Sequence, residues 1–100
     1  MTQEQLNKII EKHQHYLNKD IDGWESMKAD LSDKNLSGLD LRNANLIEAD
    51  LSNASLSNSN LRNANLNNAN LREANLYGAN LIEADLNNAD LRDADLNNAC

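Results

Sequence analysis

Few residues in this chain are able to do chemistry, and their spacing limits what they can do. His13 and His15 form a His-x-His pair. On a helix, residues two apart face different sides, so the pair cannot readily chelate one metal ion. No acid or thiol at helical spacing completes the three or four ligands that a zinc site needs. His13 is expected on the inner face of its element, and His15 in solvent. The acids Asp30, Asp50 and Asp90 recur at multiples of twenty residues, with Asn70 between them. Paired carboxylates act as acid and base across a cleft that tunes their pKa values, whereas acids on a regular outer surface stay hydrated. Arginines recur in the same way, Arg72 with Arg92 and Arg42 with Arg62. Such columns are either solvated corners neutralised by neighbouring acids or, together with Tyr77, anchors for a protein partner, because Arg and Tyr are enriched at interface hot spots. No catalytic group, cofactor site or metal site is expected. Cys100 is the only cysteine, which excludes an internal disulfide.

A repeat must position these groups. Leucine returns every fifth residue, fourteen times without a break, from Leu31 to Leu96. The residue two before it is Ala, except at Lys34, Leu39 and Ser59; the residue one before it is Asp, Asn or, at Ser55, Ser. Period five suits neither regular element. On an α-helix, each Leu would land about 140° from the last and leave no apolar stripe. On a straight strand, successive leucines would fall on opposite faces. A chain that bends after each short extended segment resolves the conflict, with Leu and the small residue pointing inward and the residue between them pointing out. The second residue after each Leu then turns the corner. It is Asn at 43, 53, 58, 63, 68, 88 and 98 and Gly at 38 and 78, types that tolerate positive φ. At Glu48, Glu73 and Glu83 a turn without positive φ is expected. The absence of proline leaves every backbone donor available to a ladder.

Units such as Ala44-Asn45-Leu46-Ile47-Glu48 and Ala94-Asp95-Leu96-Asn97-Asn98 resemble the pentapeptide-repeat family, and the resemblance covers roughly residues 29–100. It implies an all-β solenoid, a right-handed quadrilateral parallel β-helix with four pentapeptides per coil. Right-handedness also accords with the general preference of parallel crossovers. Residues 29–100 then make about three and a half coils with residues i and i+20 stacked at the inter-strand spacing. Their core is four leucine columns, Leu31/51/71/91, Leu36/56/76/96, Leu41/61/81 and Leu46/66/86.

Residues 1–28 follow a different period. Leu6, Ile9, Ile10, His13 and Leu17 form the stripe of an amphipathic helix, with Thr2 and Gln5 as a capping box. The helix should stop near Asp20–Gly23 and lie over the first coil as an N-terminal α-helical cap, with Trp24 buried or, alternatively, exposed for recognition. At the other end Leu81, Leu86, Leu91 and Leu96 have no layer above them, so a homodimer through the C-terminal coil, near Cys100, is expected. The repeat stops in mid-unit at Ala99-Cys100, as a truncated chain would.

The formal charge is −7, of which −6 lies in residues 29–100 (eleven acidic against five basic residues). That balance opposes direct binding to nucleic acid phosphates and to anionic membranes. No secretion signal or spanning segment is legible, which leads to the expectation of a cytoplasmic setting. Two functions fit. One is a non-catalytic module presenting polar and acidic ladders to an unidentified protein. The other comes from the resemblance: a DNA-mimicking binder of a type II topoisomerase, of the Qnr type. Against the second stand the lack of Phe and of any interruption that would form a projecting loop.

Overall fold

The computed structural model describes residues 1–100, a helix followed by a continuous four-sided coil. The coil closes every twenty residues. Ten parallel bridges join residues twenty apart, from Asp30–Asp50 through Asn75–Asp95. Below the last coil, successive pentapeptides join the ladder through the same three kinds of bond. The N–H of Leu51 donates to the Asn70 carbonyl (2.7 Å), that of Asn70 to the Ala49 carbonyl (2.9 Å), and that of the corner Asn53 to the Arg72 carbonyl (2.9 Å). The expected strands shrink to single bridging residues, because the turn takes up most of the unit. In all fourteen units the N–H three residues after Leu donates back to the Leu carbonyl at 3.0–3.3 Å. Four of the five residues thus belong to a β-turn, and only the Asp/Asn/Ser position remains to bridge.

All fourteen corners have positive φ, including Glu48 (65°), Glu73 (59°) and Glu83 (62°). The expectation of a different turn at the glutamates is therefore corrected. The corner N–H is a ladder donor at Glu48 (to the Asn67 carbonyl) and Glu73 (to the Arg92 carbonyl), both at 2.9 Å, whereas the corner of Glu83 is tied to the coil below through the Ile82 carbonyl, which accepts from the Asn63 N–H at 3.1 Å. A different turn would break that ladder bond, and the stacked coils impose one geometry on whatever side chain occupies the corner. The strain costs about 1–2 kcal/mol at a residue with a Cβ, against about 0.5–1 kcal/mol of extra chain entropy for glycine. Glu73→Gly is accordingly expected to stabilise the fold by about 0.5–1 kcal/mol. Thermal melts of the two proteins check this, and an unchanged or lower midpoint would count against it.

The ten repeat leucines from Leu31 to Leu76 are at most 1% exposed, and the small residues between them close the core, while Leu39, in one of the small-residue positions, is half-buried. Ser59 replaces Ala without leaving a buried hydroxyl unpaired, since it donates to the Leu56 carbonyl at 2.7 Å. Toward the last coil the covering thins: Leu81, Leu86 and Leu91 are half-buried, and Leu96 is 43% exposed.

Helix α1 spans Gln3–Asn18 and begins with the reciprocal capping box of Thr2 and Gln5. It ends slightly earlier than expected. Lys19 turns left-handed (φ 54°), and its N–H closes onto the His15 carbonyl at 2.8 Å. A single 3-10 turn, Trp24–Met27, leads into the repeats. Leu6 and His13 are buried, and Ile9 and Ile10 pack on the core.

Side chains of α1 meet the lower edge of the first coil, where a preceding coil's backbone would lie. The Gln3 amide both donates to the Asp40 carbonyl (2.7 Å) and accepts from the Asp40 N–H (2.8 Å), as a neighbouring peptide unit would. Gln14 donates to the Asn45 carbonyl at 3.1 Å. His13 donates from Nε2 to the Ile47 carbonyl (2.6 Å) and accepts at Nδ1 from the Ala29 N–H (2.9 Å).

That pair of bonds requires the neutral imidazole, since a second proton would face the Ala29 N–H. Burial pushes the His13 pKa below its ordinary 6.5, aided by Lys28 and opposed by the Ile47 carbonyl and Glu48. A lowered folded-state value means stability is full above the unfolded pKa near 6.5 and declines as pH falls toward the folded value. The melting temperature is expected to drop between pH 7 and pH 5, and His13→Gln to flatten that slope. Identical slopes in the two proteins would refute the role of His13.

Candidate functional site

The outward residue of each unit has a structural use that the sequence did not reveal. In thirteen of the fourteen units its Oδ1 accepts from the backbone N–H two residues on, at 3.0–3.4 Å. This Asx-turn bond pins the start of every corner. Ser55 is the exception. Asp30, Asp50 and Asp90 are thus turn acceptors as well as surface charges. Ser32 holds the Asp30 carboxyl below its ordinary range through its hydroxyl and its N–H. Asp40 is lowered to about 2, first by the Arg42 guanidinium and then by the Arg42 N–H. Asp90 is lowered to about 2 by the guanidinium of Arg92 in the same way.

The four arginines divide by use. Arg42 forks onto Asp40 (3.0 and 2.8 Å) and Arg92 onto Asp90 (2.9 and 2.6 Å), each within its own unit. Arg62 and Arg72 have exposed guanidiniums and no ion pair. The register also separates them in space. Arg72 and Arg92 stack on one corner, Arg42 and Arg62 on the diagonally opposite one, and Tyr77 stands on the corner between. Directly above Arg62 lies Ile82, whose carbonyl accepts from the Asn63 N–H at 3.1 Å. Tyr77 and Ile82 are 45% and 44% exposed and flank the face that carries Asn60 and Asn80. Tyr77 and Ile82 hold the same place in consecutive units, five residues apart, so they stand on adjacent corners of the coil. Ile47, at the same place in its own unit, is half-buried beside α1.

At the far end, Cys100 is exposed and its thiol free, while its backbone still joins the coil through the Ala79 carbonyl at 3.0 Å. His13 and His15 point apart, His15 pairing with Asp20 at 2.8 Å. No group of three His, Cys, Asp or Glu side chains is placed to hold a metal ion. No helix is long and apolar enough to cross a membrane.

The defining pattern of the pentapeptide repeats matches residues 27–63 and 59–98, in eight copies. Among solved structures, a pentapeptide repeat protein from the Arabidopsis thaliana thylakoid lumen is similar at 35% identity and a TM-score of 0.67, over 68% of this chain and 47% of that one. Rfr23, a pentapeptide repeat protein from the cyanobacterium Cyanothece 51142, is similar at 37% identity and a TM-score of 0.59, over 70% of this chain and 52% of that one. The chain thus spans about half the length of these structures. No curated protein sequence matches it. Such neighbours form right-handed quadrilateral β-helices.

The expectation of a cytoplasmic setting does not stand, because one of these similar proteins comes from a thylakoid lumen. The physical reason is that a compartment is chosen by targeting segments read apart from the fold, and a register of buried leucines carries no such address. The fourteen units in register, the four-sided ladder they build and these matches together place the chain in the pentapeptide-repeat family.

Proposed function

We propose that the chain is a non-catalytic protein-interaction module, a rigid prism whose face between Tyr77 and Ile82 docks a partner protein. The carrying observation is that two large apolar side chains, each nearly half exposed, border one flat face with the unpaired Arg62 beneath Ile82. Aromatic side chains on a rigid support lose little conformational freedom on binding, and together with arginine they dominate interface energetics. Arg72 is likewise unpaired, on the corner beyond Tyr77, whereas Arg42 and Arg92 are already neutralised by their own aspartates. In the same reading α1 is the cap of the solenoid, its Gln3, His13 and Gln14 side chains standing in for a coil below.

The test is capture from a native lysate by the intact chain and by an Arg62→Ser/Tyr77→Ser/Ile82→Ser variant with unchanged melting. Capture lost in the variant supports the face; equal capture by both overturns it. A gyrase supercoiling assay separates the DNA-mimic reading, for which the charge of −7 is the motive. Inhibition that disappears when the exposed acids are reversed would favour mimicry instead.

The last coil is a second proposed surface. Leu81, Leu86, Leu91 and Leu96 lose cover toward it, and a two-fold dimer would bury them with Cys100 near the junction. Asp85, Asp90, Asp93 and Asp95 repel across such a junction, so the dimer fraction should rise with ionic strength. Light scattering across salt and protein concentration, with Leu96→Lys as control, checks this. A monomer at high salt and high concentration would overturn it.

A further inference from the structure

Where the end of α1 meets a corner of the first coil, a cleft of about 350 Å³ opens between Tyr16, Leu17, Lys19, Trp24, Ile47 and Glu48. Two of its walls are aromatic. The rings of Tyr16 and Trp24 lie 5.9 Å apart, inclined by 54°. Tyr16 is held on both sides: it stacks on the buried His13 at 5.5 Å and donates its hydroxyl to Glu48 at 3.1 Å. Both rings are half-buried, so each keeps part of its surface open. Glu48 is exposed and has no cationic partner, which leaves its negative charge on the rim. The cleft already receives a cation. The Lys19 ammonium sits 5.4 Å from the centre of the Trp24 ring, within cation–π distance.

We propose that this cleft binds an alkylammonium ion, a methylated one best, with Trp24 and Tyr16 as walls and Glu48 as counter-charge, and that Lys19 is its internal competitor. The energetic reason is hydration. A lysine ammonium is compact and strongly hydrated, whereas a methylated ammonium gives up water more easily and covers more of the rings, as in aromatic cages. Lys19 is an exposed side chain on a left-handed residue at the end of α1, free to leave without disturbing the backbone. The site is independent of the face between Tyr77 and Ile82, and free ions suffice to probe it.

Trp24 is the only tryptophan, so its fluorescence reports on the cleft directly. Tetramethylammonium chloride is titrated against sodium chloride at equal ionic strength, and choline against its uncharged isostere 3,3-dimethylbutan-1-ol. A saturable change with the two cations alone is expected. Lys19→Gly, which keeps the left-handed backbone and removes the competitor, should tighten binding by about three- to tenfold. Glu48→Gln, which can still accept from Tyr16 but has no charge, should weaken it by a similar factor. Equal response to choline and its isostere, no saturation with tetramethylammonium, or insensitivity to both substitutions in proteins of unchanged melting would overturn the proposal.

Discussion

Leu61→Asp is expected to abolish cooperative folding, while Asn63→Asp, two residues away, leaves melting within about 0.5 kcal/mol of the original. Leu61 is fully buried in the middle of its column, with Leu41 below and Leu81 above. Its replacement removes about 1.5–3 kcal/mol of burial and places a carboxyl where no donor is free, at several kcal/mol more. The sum reaches the lower part of the roughly 5–15 kcal/mol that holds a typical domain together. Asn63 is exposed and sits at φ 61°, a conformation that Asp also tolerates. Circular dichroism melts decide the matter, and equal midpoints for the two variants would refute the register.

Removing residues 1–28 is the second large effect. It uncovers the first coil's leucines and strips five hydrogen bonds, made by Gln3, His13 and Gln14, from its lower edge. An open edge with unpaired carbonyls invites another chain. Loss of solubility and concentration-dependent association are expected, read by sedimentation or light scattering. A truncated chain that stays monomeric and melts unchanged would show that α1 caps nothing.

The register of the coil was legible because Leu31 to Leu96 admit one period, and burial has no substitute for an apolar side chain. The helix was legible for a related reason, as Leu6, Ile10 and His13 share one face and Thr2 announces its start. The turn at Glu48, Glu73 and Glu83 was not legible. Local preference argued against positive φ there, and only the stacking of coils twenty residues apart overrides it. Nor was the use of the outward Asp and Asn. An aspartate that caps its own turn and one that merely meets water look alike in sequence until the backbone N–H two residues on is placed. The arginine columns were legible too, since Arg72 with Arg92 and Arg42 with Arg62 recur twenty residues apart. Their use was not: whether an arginine folds back onto the aspartate of its own unit, as Arg42 and Arg92 do and Arg62 and Arg72 do not, depends on side-chain placement that the period does not fix.

The bridges that join residues twenty apart also give this surface an arithmetic. What a side chain faces depends on its position modulo twenty. Inserting a whole coil lengthens the prism and leaves every face in line with those below. Deleting a single pentapeptide between Arg62 and Ile82 rotates all that follows by a quarter turn, so that Ile82 would no longer stand over Arg62 although each leucine still found a column. Changes in multiples of twenty residues conserve the pattern offered to a partner, and changes of five rewrite it while the core remains intact. In such a protein recognition can be lost by a deletion that stability barely registers.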